Sequence, residues 1–334
     1  MRILVTGGTG RVGIAVVARL ARAGHELTVI GRTARANVPG ARYAQCDIND
    51  PPAMRSAAIG MDAIVHLAAI PGPISRSEEI FRVNCSGTFN LYEAAARAGI
   101  RRVVCVSSIN AFGYNFGTRT FPIRVLPIDE SQEGCATDAY SFSKQVTERI
   151  ADYAWRRDGI SGVCLRLPYV APEGYSERDF VTRHAALCRA SFESLVSLPL
   201  EQGQRRVAGW ITEFNSWRAG RPYEKIEPAT DYENPDPLML GRTDFWTRID
   251  CRDSAQAVEK SLRAEYDGCH VLFINDSHNF TGMPSLQLAR LFFPEAAMDG
   301  EALSGTNTLV SIAAARALIG YEPEHSVGRW FGES

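Results

Sequence analysis

The chain has 334 residues, of which 45% are hydrophobic and 22% charged, so it carries enough apolar side chains to bury a large core. Its formal net charge of −2 provides no basic field for a nucleic acid or an anionic membrane, and no apolar run approaches the roughly 20 residues of a membrane-spanning helix. We therefore expect a small-molecule substrate, with no nucleic acid and no membrane as partner.

The eight cysteines are scattered along the chain without a Cys-x-x-Cys pair. This pattern indicates reduced, mostly buried thiols and offers no ligand cluster for a metal. The chain opens directly into a strand-like segment, without the basic start and apolar stretch of a secretion signal. We therefore expect a cytoplasmic protein without a metal site.

The first half alternates short β-branched segments with longer segments whose apolar residues have helical spacing, which is typical of repeated strand–helix–strand units. Strands are predicted at residues 2–6, 26–30, 42–46, 63–67, 103–107 and 162–167, and helices at 14–23, 80–98 and 140–156. This order predicts an α/β fold with a doubly wound parallel Rossmann sheet and a smaller C-terminal α/β substrate-binding domain.

The pattern changes after Pro168. Residues 205–247 are rich in Trp, Pro and charge and are predicted to form a loop-rich lid, with prolines at Pro222, Pro228, Pro235 and Pro237. A helix is predicted at 254–264 and a strand at 269–274. We therefore expect residues 1–170 to bind NAD(P), with the main sheet completed by a segment near 248–275. Residues 171–247 and 276–334 are expected to form the substrate-binding region.

A glycine-rich turn follows the first strand, with Gly7, Gly10 and Gly13 three residues apart and a helix directly after them. Glycine permits the tight turn, the approach of a pyrophosphate to the backbone and close packing of the helix on the strand. The start of the helix offers N–H groups and a partial positive charge to phosphates. The segment therefore predicts a dinucleotide site that also includes Thr9, Arg11 and Val12, although a structural turn produces the same glycine spacing.

The end of the second strand bears on the choice between NAD and NADP. The segment Val29-Ile30-Gly31-Arg32-Thr33 has no acidic residue for the adenosine ribose, and Arg32 suits a 2'-phosphate. NADP is therefore favoured over NAD, with a solvated loop arginine as the alternative. Asp47 and Ile48 end the third strand, where they either hold the adenine or simply begin the following turn.

The candidate catalytic residues are Ser108, Tyr140 and Lys144. Tyr140 and Lys144 are four residues apart in a predicted helix and so share one face. A phenol ordinarily has a pKa of about 10, so it acts as a base near neutral pH only beside a cation. Ser108 follows Val106 and Ser107 at the carboxyl end of the fifth strand, where ligands bind in open parallel sheets. A helix-surface pair and a serine-rich turn are the ordinary alternatives, but together with the glycine turn these residues predict hydride transfer with Tyr140 as acid/base.

These motifs resemble the extended short-chain dehydrogenase/reductase superfamily, in the branch of NAD-dependent epimerase/dehydratase-like proteins. The resemblance also rests on His66-Leu67-Ala68-Ala69, Val83-Asn84-Cys85-Ser86-Gly87-Thr88 and Arg166-Leu167-Pro168-Tyr169-Val170. It implies that Leu67, Ala68 and Ala69 line the cofactor and that Asn84 supports the active site. It further implies that Pro168, Tyr169 and Val170 approach the nicotinamide, beside Val106 and Ser107, and that Ser108, Tyr140 and Lys144 form the catalytic triad. The helices at 80–98 and 146–154 would pair two copies into a homodimer, and Asp253 would cap the helix that follows it.

The chain departs from this resemblance at two places. Dehydratases of the superfamily carry an Asp-Glu pair after the catalytic Ser/Thr, whereas this chain has Ile109-Asn110-Ala111, and sugar-nucleotide enzymes commonly carry Asn where Tyr169 stands. The candidate substrate residues are Arg76, Ser108, Ile109, Asn110, Tyr169 and Arg248, with Phe112, Trp210, Trp217 and Trp246 as further pocket candidates.

The leading interpretation is an NAD(P)-dependent oxidoreductase that transfers a hydride to or from a hydroxyl or carbonyl carbon of a sugar, sugar acid or similar small molecule. The alternative is a sugar or sugar-nucleotide epimerase that retains NAD. A non-catalytic NADP-binding sensor is the second alternative, but a sensor has no need of the Tyr–Lys pair that this chain keeps.

Overall fold

The computed structural model describes residues 1–173, 175–220 and 236–326. The strands are β1 (Arg2–Thr6), β2 (Glu26–Gly31), β3 (Arg42–Gln45), β4 (Ala63–His66), β5 (Arg102–Val106), β6 (Val125–Leu126), β7 (Ser161–Arg166), β8 (Tyr169–Ala171), β9 (Arg248–Asp250), β10 (Cys269–Phe273) and β11 (Ala297–Met298). The helices are α1 (Arg11–Arg22), α2 (Pro51–Ala58), α3 (Ser77–Phe81), α4 (Gly87–Arg97), α5 (Ala139–Asp158), α6 (Tyr175–Val196), α7 (Leu200–Ala219), α8 (Pro237–Arg242), α9 (Cys251–Arg263), α10 (Ser285–Phe292) and α11 (Ala313–Ile319). A π-helical turn, Arg82–Ser86, joins α3 to α4, and a 3-10 turn, Ile109–Phe112, follows β5.

Seven strands form one parallel sheet in the order β10-β7-β5-β4-β1-β2-β3. The strand order reverses between β1 and β4, and ligands of such sheets bind in the crevice at this reversal, outside the carboxyl ends of the strands. The predicted doubly wound Rossmann fold is therefore confirmed. The six strands predicted in the first half are all present, and the strand predicted at 269–274 is β10, at the edge of the same sheet.

Helices cover both faces of the sheet, which explains why its central strands are apolar at successive positions. On β1, Ile3 and Val5 face a cluster shared with α1, α9 and α11, whereas Leu4 faces a cluster shared with α2, α4 and α5. A third apolar cluster joins the 3-10 turn after β5 to α6, α7, α8 and α10. The smaller pairs β8–β9 and β6–β11 lie outside the main sheet.

The prediction of a loop-rich segment at 205–247 is wrong for its first part. Residues 205–219 belong to α7, in which Val207, Trp210, Phe214 and Trp217 recur at helical spacing and pack against the third cluster. Helix α8 follows at Pro237–Arg242. The predicted loop prolines Pro222, Pro228 and Pro235 lie outside the described residues.

The prediction that Asp253 caps the following helix is also wrong. Helix α9 begins two residues earlier, and its cap is Asp250, which accepts a hydrogen bond from the Arg252 amide at 2.9 Å. The Asp253 carboxylate instead accepts from the backbone amides of Glu324 and His325, at 3.0 and 2.9 Å. A carboxylate three residues into a helix can thus hold a distant segment rather than its own helix.

The cysteines agree with the expected thiol chemistry. All eight are free thiols, and six of them are buried. Within the described residues, no helix combines the length and the apolar character needed to cross a membrane.

Candidate active site

The glycine turn closes tightly against its neighbours. Gly7 has a φ of +70°, and a Cβ there would lie 2.7 Å from the Ala68 amide nitrogen. At Gly13 a Cβ would lie 2.2 Å from the Gly7 carbonyl oxygen, so helix α1 approaches the turn as closely as only glycine allows. Gly10 caps α1 without a side-chain hydrogen bond, and the first turn of α1 has no acidic residue. The first N–H groups of α1 are therefore free of a side-chain cap, which fits a pyrophosphate.

Arg11 links the glycine turn to the segment after β7. Its guanidinium lies 5.3 Å from the centroid of the Tyr169 ring, and its Nη1 donates to the Val170 carbonyl at 3.3 Å. Pro168 and Val170 are buried, whereas Thr9 and Arg11 are exposed and Val12 packs on the sheet. The structure therefore brings the predicted residues of the two segments together at the carboxyl edge of the sheet.

A buried histidine joins β1, β4 and α4 beneath this edge. Thr6 Oγ1 accepts from the amides of Leu67 and Ala68, at 3.2 and 3.1 Å, so its proton points to His66 Nδ1, 2.7 Å away. The Thr88 hydroxyl donates to the Asn84 carbonyl and so accepts from His66 Nε2 at 2.9 Å. These partners assign the neutral Nε2–H tautomer. Burial, with Lys144 nearby, lowers the His66 pKa to about 3.

The end of β2 carries an exposed arginine and no carboxylate. Gln45 Nε2 donates to the Arg32 carbonyl at 3.0 Å, and the Tyr43 hydroxyl donates to the Thr33 carbonyl at 2.9 Å. These bonds fix the backbone of the loop and leave the Arg32 side chain in solvent. The environment is compatible with a 2'-phosphate.

Asp47 has the turn geometry of the alternative interpretation. Its Oδ1 accepts from the backbone and side-chain nitrogens of Asn49, at 2.9 and 3.0 Å, and these bonds hold the pKa of the carboxyl below its ordinary value despite partial burial. Ile48 is buried against Gly87. The adenine interaction expected for Asp47 and Ile48 therefore stays a prediction.

Tyr140 and Lys144 lie together on the first turns of α5. Asp138 caps this helix by accepting from the Ser141 amide at 2.8 Å. Tyr140 is 6% exposed and Lys144 5%, and the Lys144 Nζ lies 6.0 Å from the Tyr140 ring centroid. Lys144 Nζ also donates to the Val106 carbonyl at 3.0 Å. The ammonium is thus fixed between α5 and the end of β5, close to the Tyr140 ring.

Ser108 is the second residue after β5 and is 5% exposed. Its hydroxyl oxygen accepts from the Asn110 amide at 3.1 Å, which leaves the hydroxyl proton available to a substrate oxygen. The hydroxyl of the preceding Ser107 is already donated to Glu148 at 2.7 Å, so any contribution of Ser107 to a cofactor site would come from its backbone.

Asn84 supports the turn of α5 that carries Tyr140. Its Oδ1 accepts from the Ile70 amide at 2.8 Å, and its Nδ2 donates to Ser143 Oγ at 3.0 Å. Ser143 in turn donates to the Tyr140 carbonyl at 2.7 Å. Asn84 lies in the π-helical turn that interrupts the helix predicted at 80–98, so the prediction of one continuous helix is wrong there. Such turns inside helices occur frequently at functional sites.

The candidate substrate residues separate into three groups. Arg76 is exposed at the start of α3 and pairs with Glu78 at 3.0 Å. Ile109 and Asn110 are buried beside Ser108, and the Asn110 Oδ1 is fully covered without a hydrogen-bond partner. Tyr169 and Arg248 are partners in the parallel pair β8–β9, and their side chains pack together.

The aromatic pocket candidates are core residues or lie against the core. Trp246 is 0% exposed and Phe112 2%, both in the third apolar cluster, and Trp210 and Trp217 pack against the same cluster from α7. Trp246 and Phe112 therefore pack in the core, and the pocket role predicted for them stays a prediction. Their burial follows from the number of aromatic rings around them, including Phe245, Phe292 and Phe293.

Several residues of this site escaped the sequence analysis. Thr6, Ser143, Glu148 and Asp244 each bind a predicted site residue or its backbone. Glu148 had a usable signal, because it follows Lys144 by four residues and so lies on the same helix face. Asp244 precedes Arg248 by four residues, but the sequence around them has no helical spacing from which the turn that joins them could be predicted.

Comparisons with known proteins agree with this geometry. Residues 3–206 match the model of the NAD dependent epimerase/dehydratase family. The chain is 33% identical to the L-arabinose 1-dehydrogenase (NAD(P)(+)) of Haloferax volcanii over 214 residues, which cover 62% of this chain and 82% of that relative. It is 31% identical to the uronate dehydrogenase of Pseudomonas syringae pv. tomato over 180 residues, which cover 53% of this chain and 62% of that relative.

Solved structures extend the likeness to the whole chain. The UDP-glucose 4-epimerase of Thermotoga maritima matches with a TM-score of 0.62 over 99% of this chain and 96% of the other, at 18% identity. At this identity the likeness shows a shared fold.

Proposed function

The chain belongs to the NAD dependent epimerase/dehydratase family, and on that premise we propose that it is an NAD(P)-dependent dehydrogenase that moves a hydride to or from a hydroxyl or carbonyl carbon of a sugar or sugar acid. One observation carries this proposal: Tyr140 and Lys144 are buried together on α5, with Lys144 hydrogen-bonded to the end of β5 next to Ser108. The L-arabinose and uronate dehydrogenases among its relatives support the substrate class.

In the proposed mechanism, Tyr140 is the acid/base. The phenol removes the proton of the substrate hydroxyl during oxidation and returns it to the carbonyl oxygen during reduction. Lys144 places its positive charge 6.0 Å from the centroid of the Tyr140 ring, and its bond to the Val106 carbonyl holds it there. Ser108 donates to the same substrate oxygen and stabilises the charge that develops on it. A bound nicotinamide supplies the hydride acceptor or donor.

The cofactor site that we propose combines three segments. The glycine turn and the start of α1 hold the pyrophosphate through backbone N–H groups, with Thr9, Arg11 and Val12 around it. Leu67, Ala68 and Ala69 line the crevice, and Pro168, Tyr169 and Val170 lie beside the nicotinamide. Arg32 selects NADP over NAD by binding the 2'-phosphate, a choice supported by its exposure and by the absence of a carboxylate at the end of β2.

We also propose a division of the chain into two functional parts. Residues 1–170 hold the cofactor, with their sheet completed by the segment near 248–275. Residues 171–247 and 276–334 form the substrate-binding region, including residues 174, 221–235 and 327–334, which lie outside the described residues. Two features support this division. Strand β10 extends the parallel sheet, and α6, α7, α8 and α10 share a separate apolar cluster.

A homodimer is part of the proposal. Helices α3, α4 and α5 expose two stacked aromatic pairs, Phe81 with Phe142 and Phe89 with Tyr153, whose ring centroids are 6.2 and 6.4 Å apart. Each of these rings is 39–49% exposed, which is unusual for four aromatic side chains on one surface. A second copy packed on this face would bury them.

The experiment that tests the function mixes purified protein with NADP⁺ or NAD⁺ and matched sugars and sugar acids, and follows nicotinamide absorbance at 340 nm. Reduction of the added nicotinamide in proportion to sugar consumed supports the dehydrogenase. Interconversion of sugars without net reduction would instead assign the epimerase. Tight binding of NADP with neither reaction would assign the sensor.

A further inference from the structure

Arg248 is a buried cation in β9, the strand that pairs with β8 shortly after the end of β7. It is 7% exposed and is the register partner of Tyr169 in the β8–β9 pair, which starts two residues after Leu167. The Leu167 carbonyl accepts from the Ile109 amide at 2.9 Å, directly after Ser108. A short backbone path therefore connects Arg248 to the serine that we propose binds the substrate oxygen.

Only part of the Arg248 guanidinium has a protein partner. Nη1 donates to the Asp244 carboxylate and, at 2.6 Å, to the Thr247 carbonyl. Nε and Nη2 donate to no residue of the described chain, and neither is among the fully covered polar atoms found there. The side chain thus keeps two parallel N–H donors for a ligand, the arrangement that pairs with the two oxygens of a carboxylate.

The guanidinium is also held rigidly. Its carbon lies 4.3 Å from the centroid of the Phe280 ring and 5.3 Å from that of the Tyr169 ring. The backbone just before Arg248 is strained, because Phe245 and Trp246 have φ values of 56° and 51°. Residues with bulky side chains rarely adopt this region. Hydrogen bonds from the Trp246 amide to Gly241 and from the Phe280 amide to Trp246, at 2.8 and 2.9 Å, hold that conformation.

We propose that Arg248 is an anion subsite that binds the carboxylate of a sugar acid through Nε and Nη2. This inference rests on the proposed dehydrogenase function and narrows its substrate class from sugars in general to sugar acids. The rigid, desolvated guanidinium would discriminate strongly, since an uncharged hydroxymethyl group leaves both donors unpaired.

The surroundings favour a singly charged carboxylate over a phosphate. Asp244 lies against the same guanidinium and is fully buried with one oxygen unpartnered. His184 packs against the same Phe280 ring, with ring centroids 5.3 Å apart, and its pKa is lowered by burial and by the charge of Arg248. The Asp244 carboxylate against the guanidinium would repel a dianion more than a monoanion.

The test compares D-glucuronate with D-glucose, which differ at carbon 6, and adds D-glucose 6-phosphate as a third substrate. We expect the wild-type protein to oxidise glucuronate with a kcat/KM at least about 100-fold above that of glucose and of the phosphate. Arg248→Met should lower the value for glucuronate about 100-fold, mainly through KM, and change that for glucose less than about 3-fold.

Removing Arg248 leaves Asp244 buried without its cation, so the single variant can lose its fold. The double variant Asp244→Asn/Arg248→Met removes both charges, and Arg248→Lys keeps the charge but loses the parallel donors. Both should show the same selective loss, with nicotinamide binding unchanged. Arg316→Met, which removes an arginine from the exposed pair with Glu322, is the matched control and should change neither substrate.

Each outcome decides the assignment. Equal losses on glucuronate and glucose would make Arg248 a structural residue, and a wild-type preference for glucose or for the phosphate would overturn the carboxylate subsite. In all these cases sugar oxidation persists and the proposed function stands. If the wild-type protein binds nicotinamide but oxidises none of the three, the proposed function fails and the subsite fails with it.

Discussion

Arg166 binds Glu148 through two parallel hydrogen bonds, from Nε to Oε1 at 2.9 Å and from Nη2 to Oε2 at 2.8 Å. Glu148 lies one helical turn after Lys144, and its Oε1 also accepts from Ser107, so the pair joins α5 to the ends of β5 and β7. Both side chains are nearly buried. The pair therefore fixes the spacing between the elements that carry Lys144 and Ser108.

Breaking this pair should destabilise the protein. Glu148→Gln leaves a buried guanidinium without its counter-charge, a change that typically costs about 3–5 kcal/mol of unfolding free energy, measured here by urea denaturation. Glu322→Gln, which breaks the exposed pair with Arg316, should cost less than about 1 kcal/mol. Similar small losses in both variants would show that the buried pair contributes no more than a surface pair.

Removing the proposed acid/base should separate chemistry from binding. Tyr140→Phe keeps the ring that packs against Phe116, with ring centroids 5.8 Å apart, but loses the hydroxyl. We expect kcat to fall by about 10² to 10⁴-fold, with the nicotinamide dissociation constant unchanged. Tyr153→Phe, on the same helix, is the control and should retain activity. Full activity in Tyr140→Phe would reject the assignment.

The glycine turn and the Tyr–Lys pair could be predicted because their chemistry depends on local spacing along β1, α1 and α5. The hydrogen bonds and ion pairs that hold these residues in place could not be predicted from the sequence. Glu148 meets Arg166 and Ser107 across 18 and 41 positions of sequence, and Asn84 meets Ser143 across 59. Which of many polar side chains meet at such distances is decided by packing of the sheet and helices.

The errors have equally specific causes. The Trp, Pro and charge content of residues 205–219 favours a loop, but Val207, Phe214 and Trp217 have helical spacing and form α7. Asp253 precedes an apolar segment and so has the position of a cap, but the helix begins at Cys251 and its cap is Asp250. Composition and the position of one polar residue were weaker guides than periodicity.

Arg32 offers a test of cofactor choice. If its guanidinium binds the 2'-phosphate, Arg32→Ser should lower kcat/KM for NADP⁺ by about 10-fold or more and leave that for NAD⁺ within about 2-fold, since one charge-assisted hydrogen bond is lost. Arg22→Ser, on the surface of α1, should change neither value. Equal effects on both cofactors would mean that Arg32 does not bind the 2'-phosphate of NADP.

The exposed aromatic pairs offer a test of assembly. Phe142→Asp places a charge within the face formed by Phe81, Phe89 and Tyr153, and desolvating that charge in an interface is costly. Light scattering after size-exclusion chromatography should show a dimer for the wild-type protein and a monomer for the variant. Ile59→Asp, at a more exposed apolar position after α2, should stay dimeric. A monomeric wild-type protein would reject this interface.

His66 should make stability depend on pH in a defined window. Its pKa is about 3 in the folded protein, against an ordinary value of about 6.5, so between these values the unfolded chain binds more protons than the folded one. Its contribution is therefore fully present above about pH 6.5 and is lost as the pH falls, by about 1.4 kcal/mol per pH unit, or about 2 kcal/mol between pH 6.5 and 5.

Because other groups also titrate in this window, the informative quantity is the difference between two proteins. Urea unfolding at pH 7.5 and pH 5 should show that His66→Gln loses about 2 kcal/mol less than the wild-type protein over this interval. If His66→Gln and wild type respond to pH equally, His66 takes up its proton in the folded protein as easily as in the unfolded chain. The neutral tautomer that joins Thr6 to Thr88 would then be the wrong assignment, since a doubly protonated ring has no acceptor for the Thr6 hydroxyl.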